Sequence, residues 1–346
     1  MKRILGRVSL VLVLLAFIGL NLARAPYVVE VPGPTFDVLG KTDGKAVLTF
    51  DDVKTYPTTG EINALTVSLL GNPENQLSWM TVLMAYLDPS KSVVPMEEAY
   101  PAGVGTKQIQ AEDAALMRGS QQDAQAAALT YLGIDYVSRV YIEAMFEDSA
   151  AMGILKPGDF IDSVNGEKVA DNDLLRKRVK AWDGGDPIKV GITRKGESSV
   201  VEVTPAKVNG EYYLGVFVTY RYTFPFKIEV DLGDVGGPSA GSMFALGIID
   251  KLTPGAMTNG QTIAGTGTIS PTGKVGPIGG IVQKMYAAKN IGADVFLAPA
   301  DNCSETVGNT PEGLKVYRIE RLNQAVELLK AIQTGTNLSG FATCSK

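Results

Sequence analysis

The sequence predicts an α+β protein of more than one domain, set behind an apolar N-terminal segment. Three observations predict it: a nearly uncharged apolar run over 8–23, a β-branched, turn-rich stretch over about 136–208, and alternating strand and helix patterns over 212–332. The 346 residues suffice for two or three compact domains, each with its own core. Apolar residues make up 45% and charged residues 20%, as in folded globular proteins and unlike disordered chains.

Taken in order, Lys2, Arg3 and Arg7 precede the apolar run. Positive charge on that side favours a cytoplasmic N-terminus and places the body of the chain outside the membrane. The run has 16 residues, fewer than the ~20 of a full span. Residues 1–25 therefore fit two readings, an uncleaved membrane anchor or a signal peptide cut after Ala23-Arg24-Ala25. Pro26 follows that site directly and resists cleavage, which favours the anchor.

Residues 26–132 read as a β-strand region followed by a helical one, able to pack on the last domain. Residues 27–31 are β-branched and lead into the turn Pro32-Gly33-Pro34, and 46–50 and 64–70 are further strands. From 77 to 132 the pattern is mainly helical, with breaks at Val94-Pro95 and Tyr100-Pro101. Residues 121–132, rich in Ala and Gln, form a helix easily.

Over 135–208 the texture changes to short strands and turns. Pro157-Gly158-Asp159 turns into a buried strand, and Asn165-Gly166 makes a hairpin turn. A helix over 173–182 precedes a strand over 188–194 and its turn Lys195-Gly196. These pieces resemble a PDZ domain, which implies an edge strand able to bind an extended peptide. The glycine loop that would hold a terminal carboxylate has one candidate nearby, Tyr131-Leu132-Gly133-Ile134, which equally reads as the end of the preceding helix. Residues 211–335 alternate strand and helix in an α/β or α+β pattern and form the last domain, and 336–346, small and polar, form a flexible tail.

The sequence contains no histidine. A Ser-His-Asp triad and a Cys-His pair are thereby excluded, as are His-based zinc sites. Two cysteines, Cys303 and Cys344, cannot build a cysteine-rich metal site. They form a disulfide or remain as two thiols, and an extracytoplasmic compartment permits the former. Neither a metal nor another cofactor is expected. A net charge of −5 argues against a nucleic-acid partner.

Two segments carry chemistry. In Asp234-Val235-Gly236-Gly237-Pro238-Ser239-Ala240-Gly241, paired glycines make a tight turn and Pro238 suits a first helical position. Ser239 would then stand at a helix N-terminus, where unpaired N–H groups stabilise an oxyanion. Taken alone, this is equally a loop with a capping serine. The second segment runs Gly276-Pro277-Ile278-Gly279-Gly280 into a helix. On that helix Ile281, Met285 and Ala288 share an apolar stripe with Lys284 beside it, while Gln283 and Asn290 fall on the wet face. A lysine among apolar groups loses its charge more easily, as a general base must. The ordinary alternative is a lysine that snorkels from a helix edge.

Together the two segments resemble the proteolytic domain of the Lon family. Its serine sits in Gly-Pro-Ser-Ala-Gly, here 237–241, and its lysine four residues after Pro-Ile-Gly-Gly, here 277–280. A strand ending in Pro299 follows. The resemblance implies a Ser239–Lys284 dyad, with Thr266 orienting the amine and Gly237, Pro238 and Ala240 shaping the nucleophile turn. Thr268 and Gly236 stand where the family carries acids. It also implies a homo-oligomer, a hexameric ring. No Gly-x4-Gly-Lys-[Ser/Thr] loop occurs in the sequence, so the expected activity is ATP-independent cleavage of flexible or unfolded peptides. The overall plan looks like the membrane-anchored PDZ-Lon proteins of Gram-positive bacteria. The rival reading is a catalytically silent PDZ-based scaffold or adaptor. A signal-peptidase-like Ser-Lys hydrolase would share the dyad but leave the pairing of the two motifs unexplained.

Overall fold

The computed structural model describes the backbone of residues 2–101, 103–233 and 235–344, and the side chains from Leu10 onward. Met1 and Asp234 lie outside the described residues, as do the last two of the tail, Ser345 and Lys346. The chain divides into two compact units, one made of Met1–Ile134 with Phe226–Lys346 and the other of Asp135–Pro225.

In chain order, the first unit begins with α1 (Lys2–Leu22), β1 (Tyr27–Asp37), β2 (Leu48–Asp51), β3 (Glu61–Leu70), α2 (Trp79–Tyr86), β4 (Ser92–Pro95) and α3 (Thr106–Leu132). The second unit holds β5 (Val137–Met145), β6 (Phe160–Val164), α4 (Asn172–Lys180), β7 (Ile188–Arg194), β8 (Glu197–Val203) and β9 (Val216–Thr223). The first unit resumes with β10 (Lys227–Val230), α5 (Gly241–Leu252), β11 (Thr262–Gly265), α6 (Ile281–Asn290), β12 (Val295–Pro299), β13 (Lys315–Ile319) and α7 (Leu322–Gln333).

Among the described residues no helix is long and apolar enough to cross a membrane. The transmembrane anchor expected over 1–25 therefore has no support in α1. The helix does keep its described apolar side chains exposed, from Leu10 to Leu22.

The first unit is built on one sheet in the order β13–β12–β11–β3–β1–β4. Its β13, β12, β11 and β3 run parallel, while β1 is antiparallel to both β3 and β4. Alternation along each central strand feeds two cores. Ala64, Ile263 and Leu297 join one core with α3, α5 and α7, whereas Leu65, Ala264 and Phe296 join the other with α6. Helices thus cover both faces, and the strands read as continuous apolar runs. The first ten residues of α5, 241–250, are all buried, as expected of a helix that is apolar all round. Segment 26–132 supplies three strands of this sheet and helix α3, so it belongs to the same folded body as 226–344.

The described part of the expected flexible tail is tied down instead. Cys303 and Cys344 form a disulfide, and Arg318 N–H and Cys344 N–H bond to the carbonyls of Ala342 and Val316. The tail thereby covers the outer edge of β13, where unpaired backbone groups need partners.

In the second unit the sheet order is β8–β7–β6–β5–β9, antiparallel throughout. Asn165 and Gly166 both take positive φ, 50° and 81°, as a two-residue hairpin turn requires. A bidentate pair between Arg194 and buried Asp159 fixes the Pro157-Gly158-Asp159 turn to β7. The sequence put a domain boundary at 208, but 209–225 belong here because β9 pairs with β5 over 216–223. That pairing joins Val216 to Met145 at one end and Thr223 to Val137 at the other, far apart in sequence, and leaves no local trace.

Candidate active site

Ser239 lies in the turn just ahead of α5, whose first helical residue is Gly241 and whose N-cap is Ala240. Pro238 is therefore before the helix, not its first residue as expected. Helix α3 holds this turn: Gly237 N–H donates to the carbonyl of Asp113 at 3.0 Å, and Ser120 Oγ donates to that of Pro238 at 2.9 Å. A side chain on Gly236 would collide with Cβ of Asp113 at 2.7 Å, which explains the glycine in place of an acid. The main-chain N–H groups of Ser239 and Ala240 donate to no main-chain carbonyl among the described residues.

Gly280, at φ 65°, caps the start of α6 in the left-handed region, and a Cβ there would meet Val67 at 2.6 Å. Ile281, Met285 and Ala288 pack into the core beneath the sheet. Lys284, on the flank of that stripe, is only 3% exposed. Its Nζ lies 2.9 Å from Oγ of Ser239 and 3.2 Å from Oγ1 of Thr266. Thr266 in turn donates to the carbonyl of Ser239 at 2.9 Å. Burial pushes the Lys284 amine from 10.5 down to about 8, against the opposing pull of the Glu30 carboxylate. At pH 7 an amine of that pKa is neutral about a tenth of the time.

The structure thus brings Ser239, Lys284 and Thr266 together, with Gly237, Pro238 and Ala240 framing the turn. Gln283 is not on a wet face: it is buried, and its Nε2 donates to Ser92 Oγ of β4 at 2.8 Å. Thr268 pairs with Gly276 in a small ribbon. A cleft of about 470 Å³ opens on the pair, lined among others by Glu30, Leu65, Val67, Met117, Ser239 and Lys284.

Sequence reasoning missed three supports. Asp113 and Ser120 come from a helix more than a hundred positions away from the turn they hold. Buried Asn302 clamps the turn before α6, accepting from Ile278 N–H at 3.0 Å and donating to its carbonyl at 2.9 Å. No local pattern signals any of them. Among the described residues no cluster of His, Cys, Asp and Glu is placed to hold a metal ion.

With this geometry in place, the likenesses are specific. Residues 227–332 match the Lon protease (S16) C-terminal proteolytic domain. The chain carries a Lon-type proteolytic domain. Lon protease of Metamycoplasma arthritidis is 44% identical over 79 residues, which are 23% of this chain and 9% of that protein. Lon protease 2 of Bacillus subtilis is 33% identical over 104 residues, 30% of this chain and 17% of that protein. The chain therefore spans only a small part of these Lon relatives. The PDZ domain of an SdrC-like protein from Listeria innocua is 24% identical, covering 23% of this chain and 92% of that domain, at a TM-score of 0.21.

The second unit has a cleft of its own, about 510 Å³, between edge strand β9 and helix α4. Phe146, Leu175, Val179, Leu214, Val216 and Val218 give it an apolar lining. A glycine turn, Leu214-Gly215 with Gly215 at φ 73°, leads into that edge strand. The expected candidate, 131–134, instead closes α3 through left-handed Gly133 and belongs to the first unit. Tyr213-Leu214-Gly215-Val216-Phe217 was legible as a glycine before a β-branched strand, but its place after the other strands hid it.

Proposed function

We propose that the chain is an ATP-independent serine endopeptidase whose nucleophile is Ser239 and whose general base is Lys284. One observation carries this reading: a buried amine, pushed down to about 8, stands 2.9 Å from a serine hydroxyl. The neutral amine takes the proton of Ser239 as its oxygen attacks the peptide carbonyl. The main-chain N–H groups of Ser239 and Ala240 receive the developing oxyanion. The ammonium then protonates the leaving amine, and water releases the acyl group by the reverse transfer. Thr266 holds the amine in line.

Flexible or unfolded peptides suit an open cleft served by no unfolding motor in these residues. The apolar groove between β9 and α4 supports capture of an extended segment by strand addition. An extracytoplasmic, membrane-associated placement is part of the proposal and rests on Lys2, Arg3 and Arg7 ahead of the apolar 8–23. Assembly into a homo-oligomeric ring rests on resemblance to Lon proteins alone.

The test uses the full-length protein in detergent, with casein cleavage and acylation by a serine-reactive probe as readouts. Both are expected in the unmodified protein and lost in Ser239→Ala and Lys284→Ala. Labelling that survives both substitutions would overturn the dyad.

A further inference from the structure

Glu30 is an ionisable group in the active-site cleft that the acylation chemistry leaves unused. It stands on β1, opposite Leu69 of β3 and Ser92 of β4, and lines the same cleft as Ser239 and Lys284. Among the described residues, Glu30 and Lys284 are the only ionisable side chains in that lining, and Leu65, Val67, Leu69 and Met117 give it an apolar wall. No Lys or Arg of the described residues pairs with Glu30 at ion-pair distance.

Burial raises the pKa of Glu30, nearby Glu98 raises it further, and only the charge of Lys284 opposes them. A general base must be neutral when it acts, so that opposing charge is absent at the moment of reaction. Glu30 then faces the cleft with no cationic partner among the described residues, a place that an incoming cation fits.

Resting on the peptidase reading above, we propose that Glu30 determines specificity by selecting peptides with Lys or Arg beside the scissile bond. A peptide attacked by Ser239 must lay the side chains flanking its scissile bond along this cleft. A basic side chain fits both features of the wall: its methylene stem packs on the apolar residues and its charged end reaches the carboxylate. Substrate and base also act in one direction. A carboxylate neutralised by substrate no longer favours the charged form of Lys284, so the correct peptide frees the amine that cleaves it.

The test compares matched quenched peptides that differ only in Lys against norleucine, or Arg against citrulline, beside the scissile bond. Full-length protein, Glu30→Gln and Glu30→Asp are assayed on both members of each pair. The native protein is expected to favour the basic member by about tenfold or more in kcat/KM. Glu30→Gln brings that ratio close to one, and Glu30→Asp keeps part of it. A native ratio near one, or a ratio unchanged in Glu30→Gln, would overturn the assignment. Probe labelling of the native protein separates the two levels. Labelled Ser239 with no basic preference removes the specificity role alone; no labelling and no cleavage removes the peptidase reading and this role with it.

Discussion

The hydroxyl of Thr266 donates its proton to the main-chain carbonyl of Ser239 at 2.9 Å. That proton is committed, so Oγ1 of Thr266 can only accept from Nζ of Lys284, 3.2 Å away. A neutral amine has two N–H bonds and one lone pair. With one N–H held by Thr266, the lone pair is free to face Ser239. Thr266→Val keeps the shape of the residue and removes the acceptor. The expected outcome is a fall of about 10- to 100-fold in kcat with little change in KM, and recovery in Thr266→Ser. Steady-state kinetics on one peptide checks it.

Lys284 makes stability depend on pH. Its folded pKa of about 8 lies below the ordinary 10.5, so the unfolded chain holds more protons between those values. Stability therefore rises with pH across that window, and below about 8 the burial cost is present in full, on the order of 3 kcal/mol. Lys284→Met, which fills the same space without a charge, is expected to abolish cleavage yet stabilise the fold at pH 7 by about 1–3 kcal/mol, after loss of its two hydrogen bonds. Denaturant unfolding at pH 7 and pH 10 tests the sign: the gain shrinks at the higher pH. A gain equal at both values contradicts the burial argument.

Asn302 bonds both main-chain polar groups of Ile278 from a buried position. Asn302→Ala leaves those groups unpaired and is expected to cost about 2 kcal/mol. Because the same turn sets the start of α6, activity should fall by more than the loss of folded protein explains. Thermal unfolding and active-site labelling, measured together, separate the two effects.

The Cys303–Cys344 disulfide closes a loop between positions 41 apart. On chain-entropy grounds, Cys303→Ser with Cys344→Ser is expected to destabilise the first unit by roughly 3–4 kcal/mol. The tail would then leave the edge of β13. Protease susceptibility of the C-terminus reads this directly, and a tail equally protected without the disulfide would contradict it.

Legibility in the sequence followed distance along the chain. The turn at 236–241 and the approach to α6 are local: glycines, a proline and a helical stripe mark them, so Ser239 and Lys284 could be named. Thr266 was reached only through resemblance. Gln283 was misplaced because a helical pattern shows one buried face, whereas Ser92 of β4 also covers α6 and supplies a polar partner. The edge strand β9 and the clamps Ser120, Asp113 and Asn302 depend on partners far away in sequence, and no periodicity encodes those. Glu30 lies within the β-branched run 27–31, and nothing local marks it as lining the cleft with Ser239 and Lys284.

The most direct test of Lys284 as the base is the rate of Ser239 acylation by a serine-reactive probe, followed from pH 6 to pH 10. With an amine titrating at about 8, the rate should climb nearly tenfold per pH unit below that value and level off above it. A rate independent of pH over this range, or an equal rate in Lys284→Ala, would contradict the account.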